Sequence, residues 1–142
     1  MFLTSHAVTG TFLALNIEEP IILAPVAIGS HFVLDALPHF GTRSIKENKY
    51  KLYTLAALDL SCTVIFYFFI IHIWPQKIAL ITIGILGAIL PDLFYFPRYV
   101  LNISEPHWLR KFHKNIQWFE KPPGLITEIF WITLLLIMMK NL

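Results

Sequence analysis

Within the stretch 29–40, His31, Asp35 and His39 follow one another at four-residue intervals, at the end of an apolar run. On a helix, positions i and i+4 share a face, so His31 and Asp35 point the same way. Pro38 cannot continue that helix comfortably, and Leu37 before it is pushed out of α geometry. His39 is therefore expected just past the helix end, where it can fold back towards the other two. Two imidazoles and a carboxylate converging at a helix terminus are a donor set for zinc or a similar divalent ion.

The elements that must position this group belong to a greasy chain. Its 142 residues suffice for one domain. The apolar fraction of 56% and the mean hydropathy of +0.65 exceed what a soluble domain of this size carries. Several apolar runs approach or reach the length a bilayer demands. The fold expected is all-α: a polytopic membrane bundle of about five apolar helices plus a short interfacial helix, with residues 1–142 as a single integral membrane domain. The lone Cys62 leaves no intrachain disulfide to form. The N-terminus lacks a basic start and a small-residue cleavage site, so the first segment is expected to be retained.

Thr4 and Ser5 can cap a first helix beginning near His6. The acidic break around Glu18 and Glu19 precedes a second segment from Ile21 to Leu37, with Pro25 expected to bend it. Both are short for a crossing, which suggests a tilted hairpin. A third segment, Leu52 to Trp74, is long enough to span. Pro75-Gln76-Lys77 makes a reversal. The fourth segment, Ile78 to Phe96, contains Gly84, Gly87 and Ala88, small enough to admit a close neighbour. Gly124 to Met139 is the last. Between these two, 107–113 mixes bulky and basic residues as an interfacial helix does.

Threading the segments back and forth puts the N-terminus and the loops 38–51 and 97–123 on one face. That face holds all of the eleven Lys and Arg residues but Lys77 and Lys140, so it should be cytoplasmic, facing inward from the cell inner membrane. The same threading gathers His6, His31, Asp35, His39, Asp59, Asp92, His107 and His113 near it. A charged group at bilayer depth costs roughly 2.5–3.5 kcal/mol on insertion scales unless it is paired or bound to metal. Asp59, flanked by Leu58 and Leu60, therefore needs a partner, either the histidines with their metal or an interfacial Lys or Arg. Plainer roles stand beside the ligand reading. His6 could bond only to backbone, His107 and His113 could be interfacial side chains, and Pro91-Asp92 could be a helix-ending turn. Glu105 and Glu120 look like solvated loop acids, and Glu128 suits the dipole of the last helix. For His31 with Asp35 the ligand reading is preferred, because both would otherwise be buried polar groups without partners.

At these residues the chain resembles the membrane-bound metal-dependent hydrolase family. The resemblance rests on Ser5-His6, on Gly87-Ala88-Ile89-Leu90-Pro91-Asp92, and on a later histidine-bearing loop from His107 to His113. The stretch His31-x-x-x-Asp35-x-x-Pro38-His39 is similar to the metal-binding helix of zinc-dependent phospholipase C and S1/P1-type nucleases. Those all-helical enzymes hold zinc with histidines and aspartates and hydrolyse phosphodiesters. The resemblance implies a hydrolase at the cytoplasmic membrane face, acting on an ester or phosphoester of a lipid or lipid-linked substrate.

In that reading the metal, zinc or alternatively manganese, is held by His6, His31, Asp35, His39, Asp92 and His113. Asp92 and Asp59 are the candidates for general base, and Arg98 or Arg110 would grip a phosphate. Membrane lipid is the expected partner. No specific nucleic acid is expected, because topology already explains the basic loops. The alternative is a non-catalytic membrane scaffold or partner-binding subunit locked by a structural metal or polar cluster. An ion or proton carrier using Asp59 and Asp92 is disfavoured, since the polar groups gather on one side instead of tracking across the membrane.

Overall fold

The computed structural model describes residues 1–40, 49–93, 111–112, 115–117, 119 and 121–142. Among them are five α-helices: α1 Leu3–Asn16, α2 Pro20–Ala36, α3 Lys49–Ile73, α4 Ile78–Leu93 and α5 Gly124–Met139. A 3₁₀ turn, Pro75–Lys77, leads into α4. The described residues contain no β-strand. The interfacial helix expected over 107–113 falls almost wholly outside them.

Proline sets several of the boundaries. Pro20 starts α2, at a position whose N–H has no intrahelical partner to lose. Leu37 ends it in extended geometry (φ −75°, ψ 154°), as a residue before proline should. Pro122 and Pro123 lead into α5. The start of α1 departs from expectation. It begins at Leu3, with Phe2 in the cap position and no side-chain bond from Phe2 itself, so Thr4 and Ser5 lie inside the first turn. Acceptors for that turn come from other helices, which removes the need for a local cap.

The first helix is the hub. It packs against every other helix, and most closely against α4. At that crossing Gly10 faces Gly84, and a Cβ on either would run into the other's backbone carbonyl. Next along α4, Gly87 abuts α2, where an added Cβ would meet Ala27 Cβ at 2.9 Å and the Ala24 carbonyl oxygen at 3.4 Å. Small residues thus let three backbones come together. Val8, Leu15, Leu23, Ile81, Ile85 and Leu135 fill the space around them.

The outer face is the reverse of a soluble protein's. The helical stretch Tyr50–Ile73 is long and apolar enough to cross a membrane, yet only 11% of its apolar window is buried in the bundle. Leu58, Val64, Ile65, Phe68 and Phe69 all lie exposed along it. Pro75–Leu93 also reaches spanning length, whereas the helices Pro20–Ala36 and Gly124–Met139 are apolar but shorter. A continuous exposed apolar flank of this kind marks a lipid or protein contact.

The close crossing makes a sharp prediction. Gly84→Ala should destabilise the detergent-solubilised protein by about 1–3 kcal/mol, because two backbones must move apart. Gly29→Ala, with nothing within 4 Å of its added Cβ, should be neutral or stabilising by up to about 1 kcal/mol. Paired denaturant titrations test the contrast, and equal effects would refute the close-packing assignment.

Candidate metal centre

Helix α1 delivers His6 and α2 delivers His31 and Asp35 to one buried point. All three side chains are at most 1% exposed. Their candidate ligand atoms lie within 4.8 Å of one another. The two imidazoles stack nearly parallel, with centroids 4.2 Å apart and planes inclined by 18°. His6 Nε2 is 3.5 Å from Asp35 Oδ1, and His31 Nε2 is 3.4 Å from Asp35 Oδ2. These separations are long for charge-assisted hydrogen bonds, which run at about 2.7–2.9 Å. Two donors about 2.0–2.1 Å from zinc stand roughly 3.3–3.5 Å apart, close to each of these separations, which run to different oxygens of Asp35.

Tautomers support the same use. His31 Nδ1 lies 2.8 Å from the Ala88 carbonyl oxygen, on α4. A carbonyl only accepts, so Nδ1 carries the proton and, in the neutral ring, Nε2 presents its lone pair. That is the arrangement by which an outer acceptor orients a metal-ligating histidine. Neither ring nitrogen of His6 finds a hydrogen-bond partner among the described residues, although both are buried. Such orphaned nitrogens are costly without a ligand to satisfy them.

The place also attracts positive charge. The Met1 ammonium lies 2.9 Å from Asp35 Oδ1. Burial pulls that amine towards neutrality, yet the fields of Asp35 and Asp92, with a smaller one from Glu128, prevail and raise its pKa. Gln117 donates to Asp35 Oδ2 at 3.0 Å. The donor set and the spacing suit a divalent ion, which would take the place of the Met1 ammonium on Asp35 Oδ1.

The other expected residues are placed as follows. Asp92 is at the rim, 31% exposed, with Oδ1 at 3.8 Å from His31 Nε2. It lies outside the group of three. His39 is fully buried but also falls outside that group. Its Nδ1 donates to the Leu37 carbonyl (2.8 Å), leaving Nε2 without a hydrogen-bond partner among the described residues. Burial, reinforced by the Met1 ammonium, lowers its pKa and keeps the ring neutral. Its backbone is pinned by an N–H donated to Phe119 and an N–H accepted from Lys121, both at 3.2 Å. His107, His113, Arg98 and Arg110 lie outside the described residues.

Asp59 meets the start of α1. Its Oδ2 accepts the Leu3 N–H (2.7 Å), and its Oδ1 accepts the Thr4 N–H (3.1 Å) and the Thr4 hydroxyl (2.7 Å). The carboxylate caps α1 from α3, so among the described residues its partner is a helix terminus. Glu128, read from the sequence as a residue that merely suits its own helix dipole, does likewise. Its Oε2 accepts the Phe2 N–H and the Ser5 hydroxyl, both at 2.9 Å. The signal that could have found it is an acid inside an apolar segment, which by default needs a named partner.

Replacing Asp59 with alanine strands two backbone N–H groups, those of Leu3 and Thr4, while the Thr4 hydroxyl keeps the carbonyl of residue 59 and the Thr63 hydroxyl. Stability should fall by about 1–3 kcal/mol, while the metal bound per chain stays unchanged. Replacing His31 with alanine should weaken metal binding and lower the metal bound per chain. Parallel chemical melts and elemental analysis distinguish these outcomes, and loss of metal in Asp59→Ala would restore Asp59 to the centre. Known protein families, curated proteins and solved structures yield no match to this chain, so its function is argued from the site itself.

Proposed function

We propose that this protein is a polytopic membrane metalloprotein with a hydrolytic centre at the cytoplasmic face of the inner membrane. Its substrate is an ester or phosphoester of a lipid or lipid-linked molecule. The observation that carries the reading is the buried convergence of His6, His31 and Asp35 from two helices, with the half-exposed Asp92 beside it. These three residues would hold the ion, the number of protein donors usual in catalytic zinc sites. A divalent ion bound there supplies an acidified water and polarises the scissile ester or phosphoryl group.

The chain's own residues divide the remaining work. His6, His31 and Asp35 hold the ion, and the Ala88 carbonyl fixes the orientation of the His31 ring. Asp92, 31% exposed and 3.8 Å from His31 Nε2, would accept a proton. Arg98 or Arg110 would bind a phosphate, and His113 would add a ligand, on the sequence pattern alone. The exposed apolar flank of α3 suits a lipid surround and a substrate with an acyl tail. The positive loops favour the cytoplasmic orientation, and the short motifs Ser5-His6 and Gly87-Ala88-Ile89-Leu90-Pro91-Asp92 are in keeping with that chemistry.

A second reading draws on the depth of the site. His6, His31 and Asp35 are almost completely buried, as in structural metal centres, and a metal that only locks the bundle would make the protein a membrane scaffold.

Detergent-purified protein should contain zinc or manganese by inductively coupled plasma analysis, and His31→Ala/Asp35→Ala should lose it. Turnover of chromogenic phosphodiester or ester substrates in mixed micelles, abolished by that variant and by chelator, supports the hydrolase. Metal-dependent melting without turnover supports the scaffold. Wild-type protein that is metal-free, with stability indifferent to added zinc, contradicts the hydrolase and leaves only a scaffold locked by a polar cluster.

A further inference from the structure

The last helix contributes no ligand to the metal group, yet one of its side chains touches two segments that carry buried histidines. Glu128 is 1% exposed. Its Oε2 takes the Phe2 N–H and the Ser5 hydroxyl, immediately before His6. Its Oε1 takes the Phe40 N–H at 2.8 Å, immediately after His39. A single planar carboxylate thereby fixes the distance between the start of α1 and the segment that follows α2. Two neighbouring contacts reinforce the same junction. The Phe2 and Phe40 rings stack with centroids 5.6 Å apart. At the start of α5, Gly124 lies so close to His39 that an added Cβ would collide with its backbone.

We infer that Glu128 is a positioning residue of the metal centre: it sets the approach of the His6-bearing and His39-bearing segments from outside the ligand shell. The inference rests on the metal-site reading above. Three donors converge on its two oxygens, so only an anion with both oxygens accepting satisfies them all. An amide of the same shape cannot. Whichever way Gln is turned, its NH₂ faces an N–H or O–H donor, and one segment is released. Outer partners that orient ligands in this way typically govern about 10–100-fold of metal affinity.

The test uses cobalt(II) as a spectroscopic probe in the full-length, detergent-solubilised protein. Glu128→Gln should bind cobalt at least about tenfold more weakly than wild type, with altered intensity of its visible d–d bands. Trp131→Phe is the control, because it breaks a different bond between α5 and α1, from Trp131 Nε1 to Thr9 Oγ1 at 2.9 Å. It should lower the melting temperature and leave affinity and spectrum as in wild type. Should Glu128→Gln not fold, Ser5→Ala removes one donor while keeping the carboxylate, and a smaller spectral change in the same direction is expected. Wild-type affinity and spectrum in the Glu128 variant, or in Ser5→Ala where that variant alone folds, would overturn the inference. So would equal weakening in Trp131→Phe, since Glu128 would then act through stability alone. Wild-type protein that binds no cobalt would overturn the metal-site reading itself, and the inference with it.

Discussion

The first turn of α1 is the constraint on which the rest of the structure depends. A helix start carries N–H groups with no partner inside the helix, and in an apolar environment each must be satisfied from elsewhere. Here the acceptors are carboxylates from other helices. Asp59 of α3 takes Leu3 and Thr4, and Glu128 of α5 takes Phe2 and the Ser5 hydroxyl. Their negative charge also opposes the positive end of the helix dipole. At the other end Lys77 donates to the Leu15 carbonyl at 2.9 Å, a cation on the negative pole. One short helix is thus held at both ends by charges of the right sign, and its middle is pressed against α4 at Gly10 and Gly84.

This arrangement explains why a site forms where it does. Because the start of α1 is fixed, His6 has little freedom and is carried onto the face where α2 presents His31 and Asp35. The Ala88 carbonyl of α4 turns the His31 ring so that Nε2 points inward. All five helices therefore help define the positions of these three side chains, which supply little of their own support. That rigidity suits either a reactive centre or a structural lock, since both require donors held in place before the ion arrives.

Much of this was legible in the residues, and the exceptions have physical causes. The four-residue spacing from His31 to Asp35 and the break at Pro38 read correctly, because helical periodicity and proline geometry are local rules. The segment Gly124–Met139 appears at its expected bounds for the same reason. Asp59 was recognised as a carboxylate that needed a partner, but no local pattern identifies a helix start 55 residues away in the sequence as that partner. Glu128 was hidden by a plausible local explanation, the dipole of its own helix. Thr4 and Ser5 resemble caps and so suggest a later start for α1, whereas the acceptors that fix its start at Leu3 arrive through tertiary packing. Polar convergence near one end was foreseen, but which groups touch depends on the crossing at Gly10 and Gly84, and that is set by backbone approach and not by composition.

The convergence of His6, His31 and Asp35 on a single ion is tested most directly by X-ray absorption fine structure at the zinc edge of the loaded, detergent-solubilised protein. Coordination by this group predicts nitrogen and oxygen donors at about 2.0–2.1 Å, with outer-shell scattering from two imidazoles that falls by half in His6→Ala. A shell of oxygen donors alone, or a spectrum unchanged by that substitution, would contradict it.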